Sequence, residues 1–146
     1  MSLTKLSSTE YYQIETLWLE LNLLHGELSS EFKEHFATAT FEKRIESLLD
    51  KDSLVIFAAS NDEDLIGYCI ASINNEKGEI DSLYVKPSYR GKNQGKKLVQ
   101  KSLNWLQEKQ CANIDIQVAQ GNEEVLSFYE QFGFKKRFHV LQIRNT

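Results

Sequence analysis

The stretch YRGKNQG, Tyr89–Gly95, sets two glycines and an asparagine beside Arg90 and Lys92, with Lys96 and Lys97 just beyond. Before it runs the alternating, strand-like GEIDSLYV (Gly78–Val85). After it, KKLVQKSLNWLQEKQ (Lys96–Gln110) carries apolar residues at helical spacing. A strand, a basic glycine loop and a helix start therefore follow one another directly. The first N–H groups of a helix have no intrahelical partner, and the helix dipole places roughly half a positive charge there. Such a junction can receive an anion on its backbone amides, with Arg90, Lys92 and Lys96 as countercharge. A loop whose glycines only make the turn has the same sequence, and the loop alone leaves both readings open.

Two familiar phosphate cradles are excluded by spacing. A P-loop separates its glycines by four residues and places Ser or Thr after the lysine. Here Gly91 and Gly95 enclose three residues, and Lys97 stands in the Ser/Thr position. A dinucleotide fingerprint needs three glycines on the first crossover of a parallel unit. Only two are present, after segments that read as an antiparallel meander.

The rest of the chain bounds what the loop can serve. Its 146 residues make one domain, residues 1–146, of ordinary globular composition, 41% hydrophobic and 26% charged. No apolar run is long enough to span a bilayer, so no membrane partner is expected. Two separated cysteines, Cys69 and Cys111, build no disulfide framework and point to a reducing, cytoplasmic setting. A net charge of -4 argues against a nucleic-acid partner. Charge is also divided along the chain. Acids dominate up to Asp52, whereas between Lys86 and Lys109 seven basic residues face only Glu108. One end suits a cation and the other an anion, although two ordinary solvated faces would look alike. The three histidines have no ligand spacing, so no metal is expected.

Periodicity then orders the elements. A strand from Leu3 to Leu6 precedes Ser7 and Glu10 at capping-box spacing. The helix that follows carries Ile14, Leu17, Trp18, Leu21 and Leu24 on one face and is expected to end at Gly26. A broken helical region is strongest from Thr40 to Leu49. Three strands follow: LVIFAAS, DLIGYCIASIN and GEIDSLYV, joined by turn-rich segments. After the loop come a helix from about Gln94 to Lys109, the strand NIDIQVA, the short helix NEEVLSFYEQF, and a last strand from about Lys136 to Arg144. The order β-α-α-β-β-β-α-β-α-β predicts an α/β (α+β) fold with a mixed, mostly antiparallel sheet and helices on both faces.

The segments EIDSLYVKPSYRGKNQGKKLVQKSLNWL and GNEEVLSFYEQFGF resemble the GNAT N-acetyltransferase superfamily, whose element order is the one just derived. That family's phosphate loop reads Q/R-x-x-G-x-G/A. Arg90 and Gly95 match its ends, while Asn93 stands where the first glycine belongs. Asparagine is the residue after glycine that best tolerates positive φ, so the loop's path is expected to survive.

The resemblance implies acetyl transfer from acetyl-CoA to a primary amine, the pyrophosphate resting on Gly91, Lys92, Asn93, Gln94, Gly95 and Lys96. It implies that Leu83, Tyr84 and Val85 receive the thioester carbonyl and pantetheine arm, provided the next strand splays away. It implies a contact from Asn122 to the cofactor, which helix capping alone would also explain. Glu79 matches the position of a general base, with Asp81 two residues on and so on the same side; His25 and Glu27 could serve instead. Both carboxylates could equally be cross-strand charges. Tyr129 matches the tyrosine that protonates the leaving thiolate, yet Val125, Phe128, Tyr129 and Phe132 also form a core stripe. The acidic first third predicts a cationic acceptor, with Glu27 and Glu31 the acids closest to it. A non-catalytic acyl-CoA-binding module on the same fold is the alternative, and a homodimer is compatible with everything above.

Overall fold

The structure, a computed structural model, describes residues 2–143. Five strands form one sheet in the order β1-β2-β3-β4-β5. They are β1 (Ser2–Lys5), β2 (Ser53–Asn61), β3 (Asp64–Asn74), β4 (Lys77–Val85) and β5 (Asn113–Ile116). The first four pair antiparallel and β5 joins β4 in parallel. The helices are α1 (Glu15–Leu28), α2 (Lys33–Thr38), α3 (Phe41–Leu49), α4 (Gln94–Glu108) and α5 (Leu126–Glu130). No helix among the described residues is long and apolar enough to cross a membrane.

The sheet's two faces divide the core, as alternation along each strand requires. Val55, Phe57 and Ala59 of β2 point to the side packed by Leu98, Val99, Leu103 and Leu106 of α4 and by Tyr129 of α5. Ile56 and Ala58 point to the other side, against Ile14, Leu17, Trp18 and Leu21 before and within α1 and Phe41 and Leu48 of α3. The predicted mixed sheet with helices on both faces is thus the observed architecture.

Several local readings change: the strand NIDIQVA stops at Ile116, and the helix NEEVLSFYEQF is a 3-10 turn, Glu123–Val125, followed by α5. The capping box is present, with the Glu10 carboxylate accepting from the Ser7 N–H at 2.8 Å, but it opens a 3-10 turn, Ser8–Ile14, before α1 begins. Gly26 does not stop α1, which runs to Leu28. The broken region resolves into α2 and α3, parted by extended backbone at Ala39 and restarted by Thr40, whose hydroxyl accepts from Lys43 N. The expected last strand is not formed: residues 135–143 have no regular structure and are exposed, and Arg144 lies outside the described residues. A strand needs a partner to pair with, and residues 135–143 pair with no strand among the described residues.

Candidate active-site cleft

The β4–β5 ladder ends at the pair Ile80–Ile116, whereas β4 continues to Val85. Beyond that pair the two strands part, and a cleft of about 810 Å³ opens between them. The parting meets the condition set for Leu83, Tyr84 and Val85: the edge they turn toward β5 is unpaired, and all three line the cleft. A bulge accompanies it. Ile70 faces Ser82 while Ala71 faces Ile80, so Asp81 is the extra residue.

The glycine loop closes one end. Gly91 (φ 81°) and Asn93 (φ 63°) both take left-handed backbone, and α4 starts at Gln94. Asn93 thus adopts the conformation expected of it. Gly91, Asn93, Gln94, Gly95 and Lys96 line the cleft; Lys92 does not. Gly95 is informative because neither its φ nor its packing demands glycine: an added Cβ would meet only Phe128 and Val85, at 3.7 and 3.9 Å. Glycine at the second position of a helix is unfavourable by about 1 kcal/mol relative to alanine at interior positions and somewhat less near the end. The missing side chain leaves space at the cleft's mouth, beside the free amides. Arg90 also lines the cleft, but its side chain turns back, Nε donating to the Val85 carbonyl at 2.8 Å and the guanidinium lying 5.4 Å from the Tyr84 ring centre. It thereby satisfies a carbonyl at the end of β4.

Tyr129 and Asn122 stand on the wall opposite β4. Tyr129 is buried in the α5 core stripe and also lines the cleft, so the packing and cleft-facing readings hold together. Burial pushes its phenol well above the ordinary range, keeping it protonated. Asn122 begins the 3-10 turn Glu123–Val125 without a side-chain capping bond, which corrects the capping reading and leaves its amide to face the cleft. Cys69 is buried and its thiol is pushed up to about 12, chiefly by burial, which removes it as a nucleophile.

On the far side of the sheet's bulge, Lys51 Nζ donates to Asp81 Oδ1 at 2.9 Å, Ser72 Oγ at 2.9 Å and Glu79 Oε1 at 3.4 Å. Glu79 and Asp81 do share a side, as their spacing predicted. Glu79 does not line the cleft; Asp81 does, with its side chain fully buried and Oδ2 without a hydrogen-bond partner. Burial first, and then Asp81, raise the Glu79 pKa, opposed by Lys51. His25 of α1 does line the cleft, rests 5.4 Å from the Phe36 ring, and makes no side-chain hydrogen bond among the described residues. Burial lowers its pKa, so its imidazole is neutral near pH 7. Glu27 is exposed on α1 and neither it nor Glu31 lines the cleft, which corrects the expectation that they do; the lining carboxylates are Asp81 and Glu124.

Sequence reading missed one contact between distant loops. Ser29, fully buried after α1, donates to Gln120 Oε1 at 2.6 Å, and Gln120 Nε2 donates to Ser30 Oγ at 3.2 Å. Beside them Gly121 (φ 94°) lies so close to the Leu28 carbonyl that a Cβ would meet its oxygen at 2.2 Å. The α1–α2 loop is therefore tied to the loop after β5. Gly121 was the available signal, as a turn glycine between β5 and α5, but its partner is about ninety residues away in sequence and no local pattern names it.

The sequence profile of the family described as "Acetyltransferase (GNAT) family" matches residues 21–134. Mycothiol acetyltransferase of Rhodococcus jostii (strain RHA1) is 30% identical over 106 residues, 68% of this chain and 34% of that protein. Streptothricin acetyltransferase of Streptomyces lavendulae is 28% identical over 87 residues, 58% of this chain and 46% of that protein. The chain thus matches about a third to a half of the length of these relatives. Among solved structures, the aminoglycoside N-acetyltransferase AAC(6')-Iy in complex with CoA superimposes with a TM-score of 0.72 at 19% identity, covering 99% of both chains. The aminoglycoside acetyltransferase meta-AAC0020, from an uncultured soil metagenomic sample and in complex with sisomicin, gives 0.67 at 14% identity, covering 99% of this chain and 95% of that one.

The Glu79 environment has a stability consequence. A carboxyl whose pKa is raised on folding favours the native state below its unfolded value of about 4.5, and loses that advantage as pH rises through the folded pKa. Glu79→Gln is therefore expected to leave the thermal midpoint nearly unchanged near pH 4 and to raise it at about pH 7. A lower midpoint at neutral pH would show that the Lys51 attraction outweighs desolvation.

Proposed function

Because this chain belongs to the acetyltransferase (GNAT) family, whose enzymes use acetyl-CoA as co-substrate, we propose that it transfers an acetyl group from acetyl-CoA to a primary amine. The observation that carries this reading is Gly95, a glycine in a helix that neither backbone nor packing requires, facing the cleft beside free amides. Those amides, at Gly91 to Lys96, suit a pyrophosphate. When bound, acetyl-CoA supplies an activated thioester. The amine attacks it directly, since no cysteine in the cleft can carry the group first. We assign the reaction to the cytoplasm, on the free thiols of Cys69 and Cys111.

Three tasks fall to the chain. The unpaired backbone of Leu83–Val85 faces the place where charge would develop on the acyl oxygen; one such donor typically contributes about 2.7–4 kcal/mol. Tyr129 donates a proton to the departing thiolate; burial keeps its phenol protonated at neutral pH, although it also makes the phenol a weaker acid than an ordinary tyrosine. The acceptor must first lose a proton, at a cost of roughly 4.6 kcal/mol at pH 7 for an alkylammonium of pKa about 10.4. His25 takes it on this reading: it lines the cleft and is neutral. Glu79, engaged by Lys51 behind the bulge, is the base that the family resemblance favours instead. A cationic acceptor, a small polyamine or a lysine- or N-terminal-type amine, fits the acidic first third and the cleft's carboxylates Asp81 and Glu124.

Thiol release from acetyl-CoA across a panel of amines tests the function. CoA binding without turnover on any amine would instead indicate a binding module. Gly95→Leu is expected to keep the fold while weakening CoA binding in calorimetry, whereas Gly95→Ala, which the family's loop pattern admits, should raise stability by up to about 1 kcal/mol and bind CoA much as before; unchanged affinity in Gly95→Leu would disconnect the loop from the cofactor.

Tyr129→Phe should retain the fold and CoA affinity and lower kcat about a hundredfold or more, the usual scale of a lost general acid. Turnover equal to wild type would return Tyr129 to a packing role alone.

The base is read from the pH profile of kcat/KM. His25→Gln is expected to abolish the acidic limb, which in the wild type lies below the imidazole value of about 6.5. Loss of that limb in Glu79→Gln, with His25→Gln unaffected, would assign the proton to Glu79.

A further inference from the structure

Two walls of the cleft come from segments that no strand pairing joins. After Ile116 the chain leaves its ladder with β4, and residues 118–122 lead into the Glu123–Val125 turn. Ala119 and Asn122 of this stretch line the cleft, as do His25 and Leu28 of α1. Among the described residues, every hydrogen bond from 118–122 to a distant part of the chain is made by Gln120.

Both ends of the Gln120 amide are engaged. Oε1 accepts from the Ser29 hydroxyl at 2.6 Å, and Nε2 donates to the Ser30 hydroxyl at 3.2 Å. The Ser29 oxygen also accepts from Phe32 N at 3.0 Å, which leaves its proton for Gln120. Ser29 N donates in turn to the His25 carbonyl at 2.9 Å, continuing the contact into α1. Gly121 presses on the same place independently: a Cβ there would meet the Leu28 carbonyl oxygen at 2.2 Å. Yet Gln120, Ser29 and Ser30 do not line the cleft, and Gln120 is exposed. An exposed amide gains little stability from such bonds, since water would serve it nearly as well. What the tie does fix is the separation of two walls.

We infer that Gln120 is a positioning residue of the acetyl-transfer site: through Ser29 and Ser30 it holds the turn bearing Asn122 at a set distance from the end of α1 bearing His25. Where β4 and β5 part, the ladder no longer sets the width of the cleft, and this tie sets it instead. Group transfer is sensitive to that width, since a misplacement of about 1 Å can cost about a hundredfold in rate. The inference rests on the reading of the cleft as the acetyl-CoA site, and goes beyond it by giving a role to a residue outside the cleft.

Calorimetry with CoA on the wild type, Ser29→Ala, Gln120→Ala and the double variant tests it. Each single replacement is expected to weaken CoA binding about fivefold, the scale of one hydrogen bond. The double should weaken it no further than the larger single effect, because both act through one contact. Gln120→Glu keeps the acceptor for Ser29 and loses the donor to Ser30, so its affinity should fall between wild type and Gln120→Ala. Thr40→Ala is the control: it removes the α3 cap, which accepts from Lys43 N at 3.3 Å, and Thr40 lines no part of the cleft. It should lower the thermal midpoint and leave CoA affinity unchanged. Single variants that bind CoA like the wild type overturn the inference, as do effects that add in the double or that Thr40→Ala reproduces. A wild type that binds no CoA sinks the acetyltransferase reading itself and this inference with it, a failure visible before any variant is compared.

Discussion

The parting of β4 from β5 after the Ile80–Ile116 pair is the constraint on which the rest of the molecule depends. Up to that pair the sheet is continuous, and its hydrogen bonds are internally satisfied. Beyond it β4 keeps its β3 partner on one side and loses its β5 partner on the other. Unpaired backbone is expensive when buried away from water, so the gap persists only as a cleft that water or a ligand can enter. The same separation lets α4 begin with its N-terminus directed at the gap. A single topological event thus supplies both an unpaired strand edge and free helix amides, and Arg90 satisfies the Val85 carbonyl that the parting leaves behind.

The bulge at Asp81 reinforces that geometry. An inserted residue bends its strand and shifts which side chains face which side. Before it, Ile80 faces the α4 side; after it, Leu83 and Val85 do, although their numbers are odd where Ile80's is even. The cost is a fully buried carboxylate side chain, which Lys51 offsets at 2.9 Å while Oδ2 stays without a protein partner. Removing one member of such a pair leaves a buried charge uncompensated. Lys51 is thus tied to the strand distortion, and Glu79, at the periphery of the same group, is the member with the least to lose.

What the sequence disclosed follows the range of the forces involved. The α4 stripe, the α1 stripe through Ile14, Leu17, Trp18 and Leu21, and the three-strand meander are local periodicities, and each was legible to within a few residues. The left-handed turn at Asn93 was legible too, because only a few residue types fit there. Contacts between distant segments were not. Nothing near Gln120 announces Ser29, nothing near Lys51 announces Asp81, and nothing in ladder alternation reveals an inserted residue. The tail shows the limit most clearly. Its composition favours a strand, but strand formation depends on pairing rather than on composition alone, and residues 135–143 pair with no strand among the described residues.

Asn93 shows how far a departure from a glycine pattern can go. Left-handed backbone is unfavourable for an L-residue, and a β-branched or bulky side chain there would be an outlier. Asparagine reduces that cost, and its φ of 63° with ψ of 16° lies in the left-handed region. What glycine would add is space, and here space is available without it, since Asn93 is exposed at the rim of the cleft. Gly95 is the opposite case: its φ is unremarkable, and its lack of a side chain serves only the space it leaves open. Backbone conformation is therefore the demand at position 93 and volume the demand at position 95. A chain that distributes them this way can replace one glycine of the loop with asparagine and still keep its amides free.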